Sequence, residues 1–185
     1  MLNNAMNEFL AQIEGDAMTE YLKLLDGKGE ANTELMISLF QAVIDMDPEN
    51  IYGHTDDALA FLPDLYFEKG EYKKARALLE KFVELVDRNR TQEHYHWFQY
   101  ENYNDIGRIY YLEGDIEKAM NMFERSLKAN ATDNYKAALG LALCFRRKKD
   151  IPAARANMAY AKMLKAIDKV NCPFLYQGPN KEDVI

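Results

Sequence analysis

Residues 106–126 read IGRIYYLEGDIEKAMNMFERS, and two other segments of the chain carry the same pattern. Residues 62–82, LPDLYFEKGEYKKARALLEKF, align with them at an offset of 44, which pairs Tyr66 with Tyr110 and Gly70 with Gly114. Residues 141–161, LALCFRRKKDIPAARANMAYA, follow at an offset of 35. A constant offset over several positions indicates stacked copies of one supersecondary unit.

The repeated unit is predicted to be two helices joined by a tight turn. An aromatic residue lies near the end of the first helix, and the turn EGD places Asp115 where its side chain can cap the second helix. In the second helix a small residue precedes a large one by four positions, as in Ala119 and Phe123. Small residues let two helix backbones approach, and the large residue fills the space between neighbouring units.

This pattern resembles the tetratricopeptide repeat family, whose motif is W-x2-L-G-x2-Y, then A-x3-F, then P. Residues 103–123 meet most of the motif, and the other two copies keep its positions with more substitutions. The resemblance implies a set of residues that build the repeats. These are Tyr66, Gly70, Ala75, Gly107, Tyr110, Gly114, Ala119, Phe123, Phe145 and Ala154.

The predicted fold class is all-α, because apolar residues recur at helical spacing and strand signals are almost absent. The resemblance implies a right-handed α-solenoid of about four antiparallel helix hairpins, a TPR-like superhelix. One domain is expected over residues 1–171, with a C-terminal tail at 172–185. Within it we expect a degenerate N-terminal hairpin at 1–47 and repeats at about 56–88, 91–130 and 133–170.

Composition and charge limit the classes of function. Hydrophobic residues make up 48% of the chain and charged residues 29%, as in ordinary soluble domains. The net charge of −7 argues against general binding to nucleic acids or anionic membranes. The sequence shows no signal-peptide pattern and no run of 18 apolar residues, so a cytoplasmic location is expected. Cys144 and Cys172 are expected to be free thiols.

The sequence contains no enzyme or cofactor signature, so no catalytic residue, metal ligand or cofactor is predicted. A glycine-rich phosphate loop, G-x-S-x-G and H-E-x-x-H are all missing. His94 and His96, in the run EHYHWFQYENYNDIGRIYY (93–111), suggest a metal-binding or enzymatic protein as an alternative. Residues two apart lie on nearly opposite sides of a helix, so this alternative needs a third element and is the least favoured.

The resemblance also implies where a partner binds, because this family binds peptides or protein segments on a concave face lined by the first helices of its repeats. In the long helix near residues 93–112, one stripe carries the packing residues, and the opposite stripe is expected to face the groove. Aromatic residues and arginine supply most binding hot spots. The candidate groove residues are Asp64, Phe67, Trp97, Tyr100, Asn104, Arg108, Tyr111, Leu143 and Arg146.

The leading hypothesis is a non-enzymatic adaptor or scaffold that binds a protein or peptide segment in this groove. The first alternative is a small acidic chaperone for a secreted or assembly partner. The last predicted helix has two adjoining apolar sides and no separate capping helix. One side carries Met158, Ala161 and Leu164, and the broader one carries Tyr160, Met163, Ile167 and Val170. Two arrangements would cover that surface: the tail folds back onto it, or two chains pair there as a homodimer.

Overall fold

The computed structural model describes the backbone of residues 2–26, 31–88, 93–132 and 134–167, and the side chains of residues 4–25, 31–88, 99–132 and 134–165. Within these ranges the chain forms α-helices and no β-strand, which confirms the predicted all-α class. The helices are α1 (Leu2–Asp26), α2 (Thr33–Met46), α3 (Thr55–Glu68), α4 (Tyr72–Arg88), α5 (Glu93–Glu113), α6 (Ile116–Ala129), α7 (Tyr135–Arg147) and α8 (Ile151–Ile167).

Consecutive helices pair into four hairpins, α1 with α2, α3 with α4, α5 with α6 and α7 with α8. Each hairpin packs on the next through α2 and α3, α4 and α5, and α6 and α7, and α5 also touches α7 directly. The first helices of successive hairpins therefore line one face. This is the right-handed α-solenoid of four hairpins that was predicted.

Side-chain caps fix the starts of α2 and α6. The Asn32 Oδ1 atom accepts a hydrogen bond from the Leu35 N–H at 3.0 Å, and the Asp115 Oδ1 atom accepts one from the Lys118 N–H at 3.2 Å. Both caps satisfy backbone donors that have no partner inside the helix. The predicted cap at Asp115 is thus confirmed.

The turns inside the last three hairpins share one backbone conformation. Gly70 and Gly114 have φ angles of 74° and 85°, in the left-handed region that favours glycine. Lys149 stands at the equivalent position of the last hairpin with a φ of 62°. The third copy therefore keeps the same turn without its glycine.

Phe123 of α6 joins two hairpins. Its ring lies between Gly107 of α5 and Gly140 of α7, where an added Cβ would come within 2.9 Å and 2.5 Å of ring atoms respectively. Real Cβ atoms essentially never approach so closely, so both helices need glycine at these positions. The small residues thus let α5 and α7 close on one aromatic ring.

The residues predicted to build the repeats separate into helix contacts and turn positions. The first group is buried or half-buried, and the turn glycines are exposed. Tyr66, Ala75, Gly107, Ala119, Phe123 and Ala154 are buried, Tyr110 and Phe145 are half-buried, and Gly70 and Gly114 are exposed.

The length of α5 sets it apart from the other first helices of the repeats. It has 21 residues, whereas α3 has 14 and α7 has 13. The offset of 44 between the first two copies predicts this extension, because it places extra residues before Tyr103. The side chains of residues 93–98, which include His94, His96 and Trp97, lie outside the described residues.

Candidate interaction groove

The accessible stripe of α5 between α3 and α7 consists of Glu101, Asp105, Arg108 and Leu112. These residues follow one another at steps of four, three and four, and each is at least partly exposed. Such spacing places them on one side of the helix. Among the predicted groove residues of α5 whose side chains are described, Arg108 alone belongs to this stripe.

The other candidates on α5 are more enclosed than expected. Tyr100, Asn104 and Tyr111 are buried, at 6%, 4% and 9% exposure. The physical reason is that α5 contacts α4, α6 and α7, so most of its circumference is covered. The accessible stripe is therefore narrower than the predicted one and rotated by about one residue.

Three of the predicted groove residues do come together between α3 and α5. The Arg108 guanidinium carbon lies 4.0 Å from the centre of the Phe67 ring, at a distance that allows a cation–π interaction. Asp64 lies one turn before Phe67 on α3, and the charge of Arg108 favours the ionised form of its carboxyl group. Asp64, Phe67 and Arg108 thus lie at one junction of α3 and α5, and sequence reasoning did not single out the neighbouring Glu101 and Asp105.

Two carboxyl groups near the junction of α3 and α5 are poorly solvated. Burial raises the pKa of Asp105 to about 8, and the negative charges of Asp64 and Glu101 add to this shift. Burial likewise raises the pKa of Asp64 to about 6, against the opposing charge of Arg108. In both cases the neighbouring cations are too few or too distant to offset the loss of water.

Lys136 of α7 is the second cation at this surface, and it forms a salt bridge with Glu101 of α5. Its Nζ atom lies 3.1 Å and 3.0 Å from the two carboxylate oxygens of Glu101. Both side chains are partly buried, so the pair is better shielded from water than an ordinary surface ion pair. It links α5 to the first turn of α7.

Asn104 belongs to a buried hydrogen-bond network rather than to an open surface. Its Nδ2 group donates to Asn134 Oδ1 at 2.9 Å, and Asn134 Nδ2 donates to Ser126 Oγ at 2.8 Å. Ser126 Oγ then donates to the Tyr100 carbonyl at 2.6 Å. The network ties α5, α6 and the start of α7 together. Sequence reasoning missed Asn134, although an asparagine just before a helical run is a typical cap.

We expect replacement of Asn134 by alanine to lower the free energy of unfolding by about 1–2 kcal/mol. The change removes the cap on the Ala137 N–H, at 3.2 Å, and breaks the links to Asn104 and Ser126. Chemical denaturation followed by circular dichroism measures the loss. Asn121→Ala is the control, because Asn121 is an exposed residue within α6. Equal stability of the two variants would contradict a structural role for Asn134.

At the C-terminal side of the candidate groove, buried apolar residues lie next to exposed arginines. Leu143 is buried with Tyr111 and Cys144, whereas Arg146 is exposed at the end of α7. The Arg147 guanidinium carbon lies 4.4 Å from the centre of the Tyr111 ring. Burial raises the pKa of the free Cys144 thiol to about 12, so it stays protonated at neutral pH. Leu143 therefore packs inside, and the arginines supply positive charge at this end.

Neither a metal cluster nor a membrane span is found in the described part of the chain. No three or more His, Cys, Asp or Glu side chains there are grouped as metal ligands would be. None of its helices is long and apolar enough to cross a bilayer. The histidine alternative rests on His94 and His96, whose side chains are outside that part.

Comparison with known proteins gives a family match at two of the hairpins and several structural likenesses. Residues 57–85 and 100–133 match the family model described as tetratricopeptide repeat. The solved structure "MamA MSR-1 C2" is 17% identical, with a TM-score of 0.56 over 73% of this chain and 68% of that chain. BtubC from P. vanneervenii is 16% identical, with a TM-score of 0.66 over 89% of this chain and 66% of that chain.

A third similar structure, MamA from Desulfovibrio magneticus RS-1, is 15% identical, with a TM-score of 0.61 over 83% of this chain and 76% of that chain. At these identities the likeness concerns the fold, which in each case is a stack of helical hairpins. The family match and the hairpin geometry agree on residues 57–85 and 100–133. The chain is therefore a helical-repeat protein in which two hairpins match the tetratricopeptide repeat model.

Proposed function

We propose that this protein is a non-enzymatic adaptor or scaffold that binds a protein or peptide segment on the concave face of α3, α5 and α7. The observation that carries the proposal is the junction of Asp64, Phe67 and Arg108, where charged and aromatic side chains from two repeats meet at the surface. Arginine and aromatic residues are the types that most often dominate binding energy. The tetratricopeptide repeats support a protein partner.

The experiment for this proposal is site-specific photo-crosslinking in cells. A photoreactive benzophenone residue at Leu112 lies at the end of the accessible α5 stripe, where the leucine is 44% exposed. We expect it to form adducts with a limited set of proteins. The same residue at Asn121, an exposed position on the second helix of that hairpin, is the matched control. Identical adducts from both positions, or adducts from Asn121 alone, would place binding elsewhere.

A chaperone for a secreted or assembly partner is the second candidate, and exposed apolar side chains at the two ends of the solenoid favour it. Phe9 of α1 and Met163 of α8 are each 53% exposed, and Met6 is 40% exposed. Such side chains suit adaptable binding to apolar partners. A homodimer through α8 would favour this second candidate, whereas a cytoplasmic location is proposed for both. Dimerisation would be visible by sedimentation, and its loss in Met163→Glu would assign it to α8.

A further inference from the structure

We propose that the concave face of α3 and α5 binds a basic protein segment, whose lysine or arginine side chains lie among Asp64, Glu101 and Asp105. The inference rests on the proposed function, since it assumes that this face is the binding surface. It adds the chemical class of the partner. A carboxylate-rich or phosphorylated segment is the opposite case, and the experiment below separates the two.

Acidic side chains of α3 and α5 lie along this face and favour a basic partner. On α3, Asp57, Asp64 and Glu68 follow at steps of seven and four, so they share one side of the helix. On α5, Glu101 continues the negative band, and Asp105 adds to it when its carboxyl group is ionised. Charges of one sign along a concave surface attract and orient a partner of the opposite sign.

The positive side chains among the described residues of this band are already engaged. Arg108 lies on the Phe67 ring at 4.0 Å, and Lys136 is held by Glu101 at 3.0 Å. The positive charges of Arg108 and Lys136 do not lower the two carboxyl pKa values to their usual range. The pKa of Asp105 is still raised to about 8 and that of Asp64 to about 6. A further cation from a partner would therefore gain more here than at a neutralised surface.

Asn104 supplies an independent argument. It is 4% exposed, and its Oδ1 atom has no hydrogen-bond donor among the described residues. The hydrogen-bond network determines that the unsatisfied atom of the Asn104 amide is the oxygen and not the nitrogen. Asn134 Oδ1 accepts from the Ala137 N–H, so Asn104 must present its Nδ2 group there and its oxygen elsewhere.

The unsatisfied Asn104 oxygen lies at the same border of α5 and α7 as the pair of Glu101 and Lys136. A buried acceptor without a donor costs free energy until an N–H group reaches it. Lysine and arginine carry only donors, whereas an acidic segment would bring more acceptors. The leftover acceptor and the carboxylates therefore favour the same class of partner.

The aromatic rings beside the carboxylates fit a basic partner as well. Arg108 already demonstrates a guanidinium group packed on the Phe67 ring next to Asp64. The rings of Phe61 and Tyr21 lie 4.8 Å apart at the adjoining border of α3 and α1. Aromatic faces and carboxylates together form the usual surroundings of a bound arginine or lysine.

The test uses the full chain and fluorescence anisotropy with labelled peptides at pH 7.5. One peptide alternates arginine and lysine with alanine, and a second of equal length carries glutamate at the charged positions. We expect the basic peptide to bind, the acidic peptide to fail, and affinity to fall as sodium chloride rises from about 0.05 M to about 0.5 M. Asp64→Asn combined with Asp105→Asn should weaken binding by at least about tenfold.

Two further variants test whether the charges at this surface determine binding of the basic peptide. Arg108→Gln removes a cation that competes for Asp64 and Asp105, so it should strengthen binding of the basic peptide. Glu124→Gln removes an exposed carboxylate on α6 and should have no effect. Equal binding of both peptides, an equal loss in Glu124→Gln, or acidic-peptide binding that needs Arg108 would overturn the inference.

The failures of the two proposals are distinguishable. If the basic peptide does not bind but the photoreactive residue at Leu112 still captures partners, the groove stands as the binding surface and the assigned charge of the partner is wrong. If the peptide binds without protection of Leu112 from crosslinking, basic segments bind on another face. A melting temperature of the asparagine variants at or above that of the natural protein excludes unfolding as the cause of lost binding.

Discussion

Replacement of Phe123 by alanine is expected to lower the free energy of unfolding by about 3–5 kcal/mol. The ring is 5% exposed and lies between Gly107 of α5 and Gly140 of α7. Its removal leaves a cavity where two hairpins meet, and the glycines have no side chains that could fill it. Urea denaturation followed by circular dichroism measures the change, with coincident fluorescence as the check on two-state unfolding.

A double-mutant cycle with Gly140 tests whether that loss comes from the packing of the Phe123 ring against Gly140. Gly140→Ala alone puts a Cβ 2.5 Å from the ring and should cost about 1–3 kcal/mol by overpacking. In the Phe123→Ala background the same change should be neutral or stabilising, because alanine favours a helix over glycine by about 0.5–1 kcal/mol. Gly15→Ala, with nothing within 4 Å of its Cβ, is the control. Additive effects would show that the ring does not need Gly140.

The succession of helices could be predicted because its signals are local. Caps such as Asn32 and Asp115 and the repeated turn at Gly70 and Gly114 each act within a few residues, so helix starts and turns follow from short motifs. The length of α5 followed from the offset between copies. Lys149 shows the limit of such signals, because it adopts the same turn without the glycine that would predict it.

The groove was harder to predict because it depends on how far each helix is enclosed by its neighbours. Successive residues of a helix are about 100° apart around its axis. A small error in how much of the circumference of α5 is buried therefore moves the accessible stripe from Asn104 to Asp105. Periodicity shows which side of α5 faces the core, but not that α7 also covers Tyr111. Glu101, Asp105 and Leu112 lie at helical spacing in the sequence, as do the residues of the adjacent stripe. A single sequence does not show which of the two stripes is accessible.

The stability of the free protein is expected to fall between about pH 4 and pH 8 because of Asp105. Its pKa is raised from an ordinary 3.8 to about 8 in the folded protein, foremost by burial and then by Asp64 and Glu101, against Lys136 and Arg108. In this range the folded state holds a proton that the unfolded state has lost, so stability decreases as the pH rises. At about 1.4 kcal/mol per pKa unit, the contribution lost by pH 8 is at most about 5 kcal/mol.

Asp105→Asn removes this titration, so the variant should be more stable than the natural protein at pH 8 and similar to it at pH 4. Urea denaturation at intervals across that range gives the difference, and Glu124→Gln controls for the loss of one exposed carboxylate. Parallel pH profiles for all three proteins would mean that Asp105 ionises normally. A carboxyl group that weakens the free protein near neutral pH contributes little to folding there. In the proposed complex a cation from the partner would stabilise the ionised form of Asp105, which the free protein disfavours.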